Sequence, residues 1–166
     1  MVPLLCLLTV HHSSRICRLN TIVTLFQPGH AITLDQSLRC TEVPSEGPQK
    51  EFKVSGTPAD CVKMAINVVM PRRPDLILSG INHGSNASVN VIYSGTMSAA
   101  VEGALERVQA IGFSLCEFSW EASFEAAKPY VRKVIKATLE NGLPSGVCLN
   151  VNIPDNDKAP SQGIRE

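Results

Sequence analysis

Residues 74–106 read PDLILSGINHGSNASVNVIYSGTMSAAVEGALE, and their pattern decides the fold. Leu76-Ile77-Leu78 is a short apolar run closed by Ser79-Gly80, the mark of a buried strand. A glycine- and asparagine-rich loop follows from Ile81 to Gly95, long for a strand-to-helix connection. A helix is then expected near Thr96, with Met97, Ala100, Val101, Ala104 and Leu105 on one face. Its Ala99, Ala100, Gly103 and Ala104 are small enough to let the helix backbone lie close to a sheet. Gly103 costs about 1 kcal/mol of helix propensity relative to Ala, which close packing can offset.

The same alternation extends to both sides. Upstream, Phe52–Ser55 is a strand candidate ending in Gly56, and Thr57-Pro58-Ala59-Asp60 supplies an N-cap hydroxyl, a first-turn proline and an acid. Val62, Ala65, Ile66 and Val69 then form a helical stripe that Pro71 and Pro74 stop. Downstream, Ala110–Leu115 is a strand. Phe124, Ala127, Val131, Val134, Ile135 and Thr138 mark a third helix, with Pro129 predicting a kink or a late start. Asn141-Gly142 ends that helix, and Val147–Ile153 is a fourth strand. Strands alternating with helices predict an α/β domain, a mostly parallel sheet with helices on both faces. Residues 41–50, TEVPSEGPQK, read as a loop.

Composition bounds the function. The chain has 166 residues, enough for one domain with a real core, and fifteen basic residues balance fifteen acidic ones. Nothing in that balance points to a nucleic acid polymer. No apolar run approaches the ~18 residues of a membrane span, so no membrane is expected. The first thirty residues hold no Asp or Glu, and no Lys or Arg precedes the apolar opening, which argues against a secretory leader. The six cysteines form no C-x-x-C pair and read as reduced thiols of a cytoplasmic protein. Neither G-x-G-x-x-G, nor G-x-x-x-x-G-K-S/T, nor G-x-S-x-G occurs.

Ligands of an open parallel sheet bind outside the carboxyl ends of its strands, which points to the Gly80–Gly95 loop. Ser94-Gly95-Thr96 at a helix start combines unpaired N–H groups, two hydroxyls and the positive dipole end, an anion site in principle. The simpler alternative is that Ser94 or Thr96 only caps the helix. Asn82 and Asn86 offer amides at the mouth of the sheet, or merely hold turns. His83, a lone loop histidine, carries no assignment.

The 74–106 stretch resembles the most diagnostic segment of the SurE (survival protein E) family of 5'/3'-nucleotidases. GHAITLDQSLR at 29–39, SGTPADCV at 55–62 and CLNVNIPD at 148–155 agree with it in order and spacing. The resemblance implies a Rossmann-like, three-layer fold and a phosphomonoesterase acting on nucleoside monophosphates with Mg²⁺ or Mn²⁺. It also implies a cytoplasmic homodimer or tetramer. By position, Asn82 matches the family's metal-ligand asparagine and Asn86 the second asparagine of the loop. Ser94, Gly95 and Thr96 match the segment that faces the phosphate. The family's opening strand ends in two adjacent aspartates, whereas this chain has no carboxylate before Asp35, and Phe26 stands where a serine ligand would fall. Asn82 alone of that ligand set has a counterpart, and no catalytic residue carries over. Residues 1–28 are therefore expected to be an N-terminal segment unlike the family, and 29–166 an incomplete SurE-like domain, truncated at both ends. A non-catalytic nucleotide- or phosphate-binding relative, or an assembly fragment, is the alternative function.

Overall fold

The computed structural model describes residues 7–12, 15–21, 30–45, 50–119, 121–154 and 163–164. Seven strands make one sheet: β1 (Leu7–His12), β2 (Arg15–Thr21), β3 (Cys40–Val43), β4 (Lys50–Val54), β5 (Leu76–His83), β6 (Gln109–Leu115) and β7 (Cys148–Ile153). Their order across the sheet is β3-β4-β2-β1-β5-β6-β7. Strands β5, β6 and β7 run parallel, with Ile77 opposite Ala110 and Ile111 opposite Leu149. β2 is parallel to β4, while β1 runs antiparallel to both β2 and β5. The sheet is mixed at its centre, where β1 and β2 form a hairpin that the amino-acid pattern did not announce.

The expected loop at 41–50 is corrected at both ends. Cys40–Val43 pairs antiparallel with β4 as an edge strand, and β4 begins at Lys50. Its exposed Thr41 and Glu42 gave the segment a loop's composition, and cross-strand pairing supplied the order that composition lacks.

Among the described residues, four α-helices complete the architecture: α1 (Pro58–Met64), α2 (Asn90–Tyr93), α3 (Gly95–Leu105) and α4 (Lys128–Asn141). The start of α1 is a full capping box. Thr57 Oγ1 accepts from Asp60 N–H at 3.1 Å, and the Asp60 carboxylate accepts from Thr57 N–H at 2.8 Å. The helix continues as a π-helical turn, Ala65–Val69. Pro129 sits in the first turn of α4, so the late start is realised, after a 3₁₀ turn at Glu125–Ala127.

Period-two alternation sends core residues to both faces of the sheet. Ile77 and Ala110 pack with Val62, Ala65, Met97 and Ala100 of α1 and α3. Leu76, Ile111 and Phe113 pack on the other side with Val131, Val134 and Ile135 of α4. These are the three layers. Gly103 does what its neighbours suggested, since a Cβ there would lie 2.9 Å from Ala110 Cβ and 3.0 Å from Ile77 Cδ1. Leu105, expected on the buried face of α3, is exposed. That helix is wedged between the sheet and α1, so the small residues on its two sides are buried, Gly103 and Ala104 of the last turn included, while Leu105 stands on the remaining side.

Candidate functional site

The parallel strands β5, β6 and β7 deliver their carboxyl ends to one edge, and the segment after β5 folds over it. Gly80 has φ +110°, and a Cβ there would stand 2.4 Å from the Phe113 carbonyl oxygen; glycine alone fits this close approach. Beyond it the β5–β6 register shifts between Ser79 and Asn82, which re-aims the strand end toward the loop. A cavity of about 280 Å³ opens there, with Asn82, Asn86, Tyr93, Ser94, Gly95 and Phe118 among its walls.

Each amide of the loop has a defined job. Asn82 Nδ2 donates to the carbonyls of His83 and Gly84, both at 2.9 Å. The turn role is thus filled by its nitrogen, and those bonds hold the amide plane with Oδ1 as the remaining acceptor of a cavity-lining side chain. Asn86 is buried. Its Nδ2 donates to Ser114 Oγ at 2.8 Å, and its N–H donates to Asn152 Oδ1 at 2.8 Å. Its carbonyl accepts from Asn150 Nδ2 at 2.9 Å. Asn152 also accepts from Ser85 Oγ at 3.2 Å and donates to Asn150 Oδ1 at 3.0 Å. Asn86 is therefore the anchor that ties the loop to β6 and β7 as well as a wall of the cavity.

Ser94 caps α3, its Oγ accepting from Met97 N–H at 3.1 Å, and its own hydroxyl proton is left to donate. Gly95 and Thr96 open the helix, where backbone N–H groups have no carbonyl one turn below them. Gly95 lines the cavity, and Thr96 is buried behind it, outside the lining residues. The capping and anion-site alternatives are compatible here, because the cap uses only the Ser94 lone pair. His83 is engaged elsewhere, its ring edge-on to Phe124 at a centroid distance of 4.8 Å.

Several contributors escaped the sequence reading. Asn150, Ser85 and Ser114 belong to the network that seats the loop. The N-x-N pattern within Cys148–Ile153, two amides two residues apart in one strand, was the available signal. Tyr93 and Phe118 also escaped, having no spacing to mark them.

On the outer side of α1 and α3, a second cavity of about 380 Å³ is lined by His30, Ile32, Lys63, Glu102, Leu105 and Glu106. Its charges answer one another. Buried Glu102 accepts from Lys63 Nζ at 2.7 Å and pairs with His30 Nε2 at 3.1 Å, and Lys63 also bonds Glu106 at 3.2 Å. The hydrogen bond to Glu102 raises the Lys63 pKa above its usual value, against the opposing effect of burial.

A divalent cation asks for several hard oxygens, carboxylates first. At the 280 Å³ cavity the side-chain oxygens are those of amides and hydroxyls, Asn82 Oδ1 among them, with no carboxylate in the lining. Glu117, the carboxylate beside Phe118, spends Oε1 on the N–H groups of Phe118 and Ser119 at 2.7 and 2.8 Å. Among the described residues no three His, Cys, Asp or Glu side chains converge, and none of the first 34 residues is acidic. This donor set does not fit Mg²⁺ or Mn²⁺.

Residues 27–165 match the family model described as Survival protein SurE. The chain belongs to the SurE family. It is 54% identical over 138 residues to the 5'-nucleotidase SurE of Flavobacterium johnsoniae, a match covering 82% of this chain and 53% of the relative. The 5'-nucleotidase SurE of Caldanaerobacter subterraneus is 48% identical over 138 residues, with similar shares. The crystal structure of the SurE protein from Aquifex aeolicus superposes with a TM-score of 0.73 at 34% identity, over 82% of this chain and 54% of that one. The α/β architecture expected from the pattern, and the Rossmann-like fold implied by the resemblance, are those of a SurE neighbour. The chain spans about half the length of the SurE relatives it matches. Strands β1 and β2, at the centre of the sheet, come from residues that precede the family match.

The remaining expectations meet fewer observations. Among the described residues, no helix is long and apolar enough to cross a membrane. Among the described residues, Cys40, Cys116 and Cys148 are in no disulfide, and burial raises the pKa of Cys40 and Cys148.

Proposed function

We propose that this chain carries the nucleoside monophosphate site of a SurE 5'-nucleotidase, a phosphomonoesterase, at the carboxyl edge of β5–β7. The observation that carries the reading is the start of α3. There Ser94 and Gly95, the cap and first residue of α3, line the same cavity as Asn82, at the positive end of the helix dipole. Donors of this kind suit the non-bridging oxygens of a phosphate, and no reorganisation is needed when charge builds on them. Asn86, tied to β6 and β7, keeps the loop in register with those donors.

Hydrolysis as the relatives' names describe it is the first reading of the activity, with Mg²⁺ or Mn²⁺ as the family's cofactor. The neutral donor set at Asn82 favours a second reading for this chain by itself, binding of the phosphate without turnover. As for a complete family member, we expect a cytoplasmic homodimer or tetramer, with no nucleic acid polymer and no membrane as partner.

Phosphate release from AMP, with Mn²⁺ and with EDTA, separates the two. Metal-dependent release that is lost in Asn82→Ala supports hydrolysis and sends the search for further ligands beyond those described. AMP binding in EDTA that weakens in a folded Ser94→Ala variant, without release, supports the binding reading. No binding and no release from a folded sample would refute both.

A further inference from the structure

We infer that Tyr93 and Phe118 form an aromatic wall that stacks the base of the nucleotide, so that this site selects nucleotides over simple sugar phosphates. The inference rests on the phosphate site proposed above and names the other half of its ligand. Among the described phenylalanines and tyrosines, only these two are exposed, Tyr93 by 71% and Phe118 by 73%. Both line the one 280 Å³ cavity. Large apolar rings left in water are informative when they gather at a site.

Their mounting agrees with a platform. Tyr93 ends α2 and directly precedes Ser94, so its position is tied to the α3 cap. Phe118 follows β6, with its N–H held by Glu117 Oε1 at 2.7 Å, and the Glu117 carbonyl accepts from Gly84 N–H at 3.0 Å. Gly84 has φ +87°, and a Cβ there would lie 2.3 Å from Phe118 Cε1. The ring therefore rests on the bare Cα of Gly84 while most of its surface remains open. Every nucleobase has a π-face, so stacking on such rings tolerates all bases and favours the larger purines. The cavity walls offer amides and hydroxyls to phosphate and sugar, and rings to the base.

The test is titration calorimetry in EDTA with AMP, adenosine, ribose 5-phosphate and inorganic phosphate, on the full chain and on Phe118→Ala, Phe118→Tyr and Tyr93→Ala. Circular dichroism reports the folding of each variant. AMP is expected to bind about ten-fold or more tighter than ribose 5-phosphate. Phe118→Ala should bring AMP to the level of ribose 5-phosphate, leave ribose 5-phosphate itself unchanged, and be rescued by Phe118→Tyr. Equal affinities for AMP and ribose 5-phosphate, or an unaltered Phe118→Ala, would overturn the aromatic wall and leave the phosphate site standing. Adenosine binding that depends on Phe118 while both phosphates fail to bind would do the reverse. No binding of any of the four overturns both.

Discussion

Asp60 ties the segment at Ala31–Thr33 to the start of α1, and Asp60→Asn measures how much that junction contributes. The side chain is buried. Its Oδ1 accepts from Thr33 N–H at 3.0 Å, and its Oδ2 accepts from Thr33 Oγ1 at 2.6 Å and Thr57 N–H at 2.8 Å. Thr57 Oγ1 in turn donates to the Ala31 carbonyl at 2.7 Å. Asparagine keeps the shape but must place an NH₂ where one carboxylate oxygen stood. In either orientation a backbone donor, Thr33 N–H or Thr57 N–H, then faces another donor. One charge-assisted bond is lost and the others become neutral, so we expect a loss of about 3 kcal/mol. In a chain of this size that lowers Tm by about 6–12 °C.

The pH dependence supplies a second readout. Burial pushes the Asp60 carboxyl up, but the hydrogen bonds from Thr33 and Thr57 outweigh it and leave the pKa below the ordinary carboxylate value. A depressed folded-state pKa means stability that is present above the unfolded pKa of about 4 and is lost as pH falls through the folded one. Urea unfolding of both proteins between pH 7 and pH 3 should therefore show a gap that is constant near neutrality and narrows below about pH 4. A gap under about 1 kcal/mol at pH 7, or one that stays flat to pH 3, would refute the junction's role.

Three further outcomes follow from the packing and the loop. Gly103→Val should destabilise by about 3 kcal/mol in thermal unfolding, because its Cβ meets Ala110 Cβ at 2.9 Å and its methyls have nowhere to go. A neutral result would mean that α3 can lift off the sheet. Asn152→Ala removes acceptors for Asn86 N–H and Ser85 Oγ, so AMP affinity should fall several-fold, by about 1 kcal/mol or more per lost anchor, with little change in Tm. A large Tm loss with unchanged affinity would assign Asn152 to the core instead. Lys63→Met leaves buried Glu102 without its closest partner, for a loss of about 1 kcal/mol after solvent screening of the half-exposed ammonium. Since the Lys63 pKa is raised, that contribution is full below about pH 10 and disappears at higher pH, where wild type and variant should converge.

Local signals carried much of this protein. The capping box at Thr57–Asp60, the late start of α4 at Pro129 and the end of α4 at Gly142 are contacts within a few residues, and short-range chemistry writes them directly into the order of amino acids. The alternation of apolar residues likewise placed Ile77 and Leu76 on opposite faces, because side-chain direction in a strand follows from the backbone alone. The long connection after β5 declared itself by length and composition, but not its bounds, since β5 runs on to His83 and α2 occupies Asn90–Tyr93; the match at 74–106 assigned the family.

Long-range pairing was a different matter. The hairpin Leu7–His12 and Arg15–Thr21 enters the sheet between β4 and β5, and Cys40–Val43 becomes a strand only because β4 lies beside it. A partner many residues away leaves no mark on the segment it orders. The site divides along the same line. Asn82, Ser94 and Gly95 were legible because one short stretch of chain, from the end of β5 to the start of α3, carries them. Asn150 and Asn152 join Asn86 across more than sixty residues, and Phe118 reaches Gly84 from the end of β6. Sequence order determined which chemistry this chain could bring to the edge of its sheet. The register of three parallel strands decided which side chains meet there, since strand pairing sums many backbone hydrogen bonds over partners that sequence distance does not reveal.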